Sequence, residues 1–133
     1  MSEIHSGGCL CQAVRLTVRG KLNPVSFCHC SQCRRQTGHI YATTDAAMDD
    51  VVITGADAIS YYRSSPEAQR GFCRLCGSAL FWRADDSGRM SIMAGLFDQP
   101  TGIAGGYHIY CADKGDYYTI NDDLPQYPAS STV

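Results

Sequence analysis

The sequence predicts a mainly β fold, with antiparallel sheets in a sandwich or folded arrangement and one or two short helical turns. Three observations carry that reading. Most segments are short runs that alternate apolar and polar residues or are rich in β-branched and aromatic residues. Glycine-containing joints separate them, and helical pattern is confined to two brief stretches. At 133 residues the chain fits one domain, spanning 1–133 with a core over about 5–127, and can bury that core without help from a metal.

The elements follow in order. Ala13 to Arg19 alternates Val14, Leu16 and Val18 with Arg15, Thr17 and Arg19, the pattern of a half-buried strand, and Gly20 ends it. Val25 to Cys30 continues after Pro24, and His39 to Thr44 is aromatic and β-branched. Strands are expected at Val51–Thr54 and Ala58–Arg63 around a Gly55-Ala56-Asp57 turn. Ala79–Arg83, Met90–Gly95 and Gly106–Tyr110 complete the set. The two helical stretches are Ser31 to Gln36, with Ser31 as N-cap and Gly38 as stop, and Ala112 to Tyr118. The polar tail Ala129–Val133 is expected to fray.

Eleven Lys and Arg against thirteen Asp and Glu give a net charge of -2. With no long run of either sign, the electrostatic footprint of a nucleic-acid binder is missing, and nothing supports a membrane-surface role. The opening Met1 to Gly8 lacks the basic start and apolar stretch of a secretory signal, and no apolar run approaches a transmembrane span. A cytoplasmic protein is expected. In that reducing compartment the eight cysteines read as metal ligands rather than as a disulfide framework.

Their spacing sorts them. Cys73-Arg74-Leu75-Cys76-Gly77 is a turn whose glycine gives the backbone freedom to wrap round a metal. Cys9 and Cys11, two apart in an extended segment, project from one face and supply the other pair. Four thiolates make a closed structural site joining distant parts of the chain. Cys28, Cys30 and Cys33 form a second set of three, with Cys33 carried round on the first helical turn. His29 projects the opposite way, as a packed or hydrogen-bonded residue. The fourth ligand is open between Cys111, His39, His108 and a position left for substrate.

Such a site suits thiol chemistry. A thiolate-loaded zinc is a weak Lewis acid towards water but ionises and holds another thiol. Arg34 and Arg35 follow directly, and either offers a planar fork for a substrate carboxylate. The reaction class is formation or breakage of a carbon-sulfur bond.

Gly8 to Cys11, Cys28 to Gly38 and Arg70 to Leu80 resemble, in order and spacing, the glutathione-dependent formaldehyde-activating enzyme family, which also contains centromere protein V. Tyr62-Arg63-Ser64-Ser65 and the stretch from His108 to Tyr127 extend the resemblance over nearly the whole chain. It implies a β-tent fold with two zinc ions: a structural one on Cys9, Cys11, Cys73 and Cys76, and a catalytic one on Cys28, Cys30 and Cys33. It also implies a small thiol, glutathione, and an aldehyde, formaldehyde, as partners in making or breaking S-hydroxymethylglutathione. Two features depart from the family pattern: Tyr117-Tyr118 stands where the family tail often has tryptophan, and Cys111 lies outside the motifs. The rival expectation is a non-catalytic two-zinc module that binds a protein or nucleic-acid partner.

Overall fold

The computed structural model describes residues 3–131. Strands dominate, as the sequence predicts, and there are ten among the described residues, β1 and β7 beyond those expected: β1 Ile4–Gly8, β2 Arg15–Arg19, β3 Val25–Cys28, β4 Tyr41–Ala47, β5 Val51–Thr54, β6 Ile59–Ser65, β7 Ala68–Cys73, β8 Ala79–Ala84, β9 Arg89–Met93 and β10 Gly105–Ile109. One α-helix, α1 (Ser31–Thr37), joins them. The strands form two sheets, ordered β1-β2-β5 and β10-β3-β4-β9-β8-β7-β6. Among the described residues no helix is long and apolar enough to cross a membrane.

The chain forms two compact units, one made of residues up to Asn23 with Thr44–Gly102, the other of Pro24–Thr43 with the chain from Ile103 onward. The first holds most of the apolar core. Its β1-β2-β5 sheet is antiparallel, and the predicted alternation buries Leu16 and Val18 while Arg19 stays exposed. Leu80, Phe81 and Ile92 are fully buried. Gly71, on β7, lies under the rings of Tyr61 and Phe81, where a larger residue would be crowded.

The second unit is small and its interior is unusual. β3 pairs antiparallel with the start of β4 and parallel with β10, so the expectation of wholly antiparallel sheets is corrected here. The parallel pair arises because β10 arrives from a distant part of the chain rather than through a hairpin. Beside Val25, Cys33 and Tyr41, this unit buries two histidines, His29 and His108.

Two local expectations change. Cys30, not Ser31, caps α1: its sulfur accepts the Cys33 amide at 3.3 Å. Gly38 closes the helix as predicted, at φ 81° with its amide on the Arg34 carbonyl. The helix expected over Ala112–Tyr118 is one 3-10 turn, Cys111–Asp113. Gly115 and Asp116 lack the propensity to prolong it. The tail expected to fray falls partly outside the described residues.

Candidate functional site

In the first unit, Cys9 and Cys11 leave the end of β1 in a turn rather than the extended segment expected. The turn brings both sulfurs to one point: Cys9 Sγ lies 3.6 Å from Cys11 Sγ, which lies 3.7 Å from Cys73 Sγ. All four sulfurs of Cys9, Cys11, Cys73 and Cys76 fall within 4.8 Å of one another. A metal about 2.3 Å from each of four sulfurs sets tetrahedral edges of about 3.8 Å, so the group has the size of a closed tetrathiolate centre. Hydrogen bonds favour negative charge on two of the sulfurs, Cys9 and Cys76, while the same neighbours raise the Cys11 thiol. The Val14 amide donates to Cys9 Sγ at 3.3 Å. Contacts from the Ser78 hydroxyl and amide hold the Cys76 thiol down to about 5. Gly77, at φ 80°, supplies the left-handed turn that the sequence reading assigned to it.

The second unit gathers the other set. Cys28 ends β3, Cys30 caps α1 and Cys33 lies buried on its first turn, and the three sulfurs again fall within 4.8 Å of one another. Three thiols this close cannot all ionise without a cation. Hydrogen bonds from Cys28 and Cys33 hold Cys30 down to about 2, while those with Cys30 and Cys33 push Cys28 far above the ordinary thiol range. Among the described residues no fourth Cys, His, Asp or Glu donor atom joins the group. All eight cysteines are free thiols, and Cys111, its thiol pushed up by burial, belongs to neither set.

His108 and His39, the other candidates for the fourth ligand, are engaged elsewhere, and His29 is hydrogen-bonded as expected. His29 is fully buried, and both its ring nitrogens are committed: Nε2 is 2.8 Å from His108 Nδ1, and Nδ1 is 2.7 Å from the Tyr118 hydroxyl. Burial, then the neighbouring His108, lowers the His29 pKa to about 4. His108 Nε2 in turn meets both carboxylate oxygens of Asp122, at 3.0 and 3.1 Å. His39 packs edge-on against the Tyr118 ring, centroids 4.5 Å apart. This chain of side chains is the feature of the second unit that the sequence did not reveal.

The two arginines separate. Arg35 is exposed, whereas Arg34 is half-buried with its Nε enclosed and lacking a hydrogen-bond partner among the described residues. A buried donor without a partner is costly unless a ligand supplies an acceptor.

Comparison with known proteins gives these groups a context. Residues 4–113 match the family model of the glutathione-dependent formaldehyde-activating enzyme. The chain belongs to this family. A Schizosaccharomyces pombe protein named as an uncharacterized lyase is 28% identical over 115 residues, covering 86% of this chain and 83% of its own. The crystal structure of a Rhodobacter sphaeroides protein superposes with a TM-score of 0.59 at 22% identity, over 92% of this chain and 98% of that one. That likeness speaks for the fold. The family match and the lyase name of the Schizosaccharomyces pombe relative support enzyme status at the level of the family.

Proposed function

We propose that the protein is a zinc-dependent carbon-sulfur lyase that joins a small thiol such as glutathione to an aldehyde such as formaldehyde, or separates them. The observation that carries the reading is the contrast between a complete set of four sulfurs and a set of three with no fourth donor. Cys9, Cys11, Cys73 and Cys76 hold a structural ion, while Cys28, Cys30 and Cys33 hold the ion of the reaction. An open position beside three protein ligands is the usual mark of a catalytic metal. Zinc bound there supplies a lowered pKa for an incoming thiol and a fixed place for its sulfur.

The remaining work falls to the chain. Cys28, Cys30 and Cys33, fixed by β3 and the cap of α1, set the direction from which substrate sulfur enters. Half-buried Arg34 offers the planar fork of its guanidinium to a substrate carboxylate, and Arg35 adds positive charge at the surface. In the forward direction a sulfur-carbon bond forms and the carbonyl π bond breaks. Its electron pair takes up the equivalent of the proton that the thiol lost, giving an S-hydroxymethyl thioether.

Cobalt replacing zinc makes the reading visible. Titrating glutathione into the cobalt-loaded protein is expected to add sulfur-to-metal absorption in the wild type and none in Cys30→Ala, with the four-sulfur site still loaded. No change in the wild type would leave a non-catalytic two-metal module as the better description.

A further inference from the structure

The outer strands of the two sheets are β1, β5, β10 and β6, and three of them are covered or short. Along β1, Gly7 bridges Phe97, and the Ser6 carbonyl accepts the Asp98 amide at 2.9 Å. Along β10, the Pro125 carbonyl accepts the His108 amide at 2.8 Å, and the His108 carbonyl accepts the Tyr127 amide at 2.9 Å. β5 has only four residues. β6 runs for seven, from Ile59 to Ser65, and among the described residues it pairs only with β7.

An open edge presents unpaired backbone donors and acceptors, and proteins blunt it with lysine, proline or a free charge. β6 holds neither lysine nor proline. Its one charge, Arg63, is engaged with both carboxylate oxygens of Asp85, at 2.8 and 3.1 Å. A register shift lies only at its far end, between Arg63 and Ser65, so Ile59 to Arg63 run in regular register with Cys73 to Gln69. The middle of the edge is aromatic: Tyr62 is 66% exposed and Tyr61 45%. Arg83 holds the Tyr61 ring from the sheet side, 5.8 Å from its centroid. Exposed aromatic surface beside unpaired backbone is the mark of an edge that accepts another strand.

The sequence of β6 selects the strand. Two copies of one strand pair symmetrically when they run antiparallel about a two-fold axis, and facing residues share a face of the sheet. The axis must then pass through a residue and not between two. Centred on Arg63, the two guanidiniums would oppose each other. Centred on Tyr61, Ile59 would face the Arg63 of the second copy. Centred on Tyr62, that ring meets its own copy, Ser60 meets Ser64, and Arg63 faces Tyr61 twice, each time as a cation beside an aromatic ring.

We propose that β6 is the docking edge for a second copy of this chain, the two strands pairing antiparallel with Tyr62 on the two-fold axis. The sheet then continues from one copy into the other, and the tyrosines and the backbone of β6 leave water together. Neither sulfur cluster takes part, so the pairing is independent of the reaction assigned above.

Sedimentation equilibrium of the metal-loaded full chain is expected to show a monomer-dimer equilibrium with a Kd on the order of 10 μM, since one strand from each copy is small beside a permanent interface. Hydrogen exchange is expected to slow with rising concentration in Ile59–Ser65 and to stay unchanged in β1. Tyr62→Asp sets two carboxylates against each other on the axis, whereas Tyr61→Asp sets each carboxylate opposite an Arg63. The dimer Kd should therefore rise at least about tenfold more in Tyr62→Asp than in Tyr61→Asp. Wild-type protein that stays monomeric well above that concentration overturns the proposal. A dimer whose β6 amides exchange as fast as in the monomer, or one weakened equally by the two substitutions, overturns it too. Protection of β6 by an added peptide of unrelated sequence, in a chain that does not self-associate, gives the edge to a foreign strand and overturns the second copy as its occupant.

Discussion

Replacing Cys73 by serine should destabilise the protein far more than replacing Cys30, although each change removes one sulfur from one cluster. The difference lies in the length of chain that each cluster closes. Cys11 and Cys73 stand 62 residues apart, and a cross-link closing a loop of that length restricts the unfolded chain by about 4 kcal/mol. The second cluster spans only Cys28 to Cys33, and the same relation gives about 2 kcal/mol. Against a total stability on the order of 10 kcal/mol, the first loss is severe. For a chain of this size it corresponds to a fall in Tm of about 15 °C, against about 8 °C for the second. Thermal unfolding followed by circular dichroism, on protein whose metal content has been measured, reads both. Equal falls, or a larger one for Cys30→Ser, would refute the assignment of the four-sulfur group as the structural clip.

The remaining predictions concern other parts of the molecule. Arg34→Ala should raise KM for glutathione at least about tenfold, the worth of one charge-assisted hydrogen bond, while Arg35→Ala stays within about twofold; steady-state kinetics separates them. Despite the upward push of burial, hydrogen bonds from Asn23 and Arg89 hold the Asp45 carboxyl below its usual range. Its contribution to stability is thus complete above the unfolded pKa of about 3.9 and is lost as pH falls through the lower folded value. Urea unfolding should accordingly show wild type and Asp45→Asn converging as pH falls below about 4; a constant gap would contradict this. Gly55 sits at φ 78°, where a Cβ would collide with the Ala13 carbonyl oxygen. Gly55→Ala should cost about 3 kcal/mol in urea unfolding.

The strands that could be read from the sequence are those whose own residues carry the pattern. Val14, Leu16 and Val18 announce β2, and Val51–Thr54 is found as expected. β1 and β7 were not legible. The first reads Ile-His-Ser-Gly-Gly, with glycines and no alternation, because Gly7 must pass so close to the backbone of Leu96 that a side chain there would clash. The second includes Gly71 and a buried Arg70 and is held by pairing on both sides, so neighbours override its own weak propensity.

The candidate site divides in the same way. Cysteine spacing pointed to both clusters because ligands close in sequence must converge on a point, and Gly77 and Gly38 marked the turns that permit it. The hydrogen-bonded chain left no such trace. His29 lies 79 residues from His108 and 89 from Tyr118, so only the parallel pairing of β10 with β3 brings the histidines together. The departure at Tyr117-Tyr118 was visible in the sequence, but its partner was not.

The central claim is that the three-cysteine metal keeps a place for substrate sulfur. X-ray absorption of the fully zinc-loaded protein tests it directly. With one closed site and one open site, the average coordination should be about 3.5 sulfurs with a lighter atom completing the shell. Saturating glutathione should raise the average to about 4 sulfurs and remove the lighter atom. Four sulfurs per zinc before glutathione is added, or no change after it, would contradict the account.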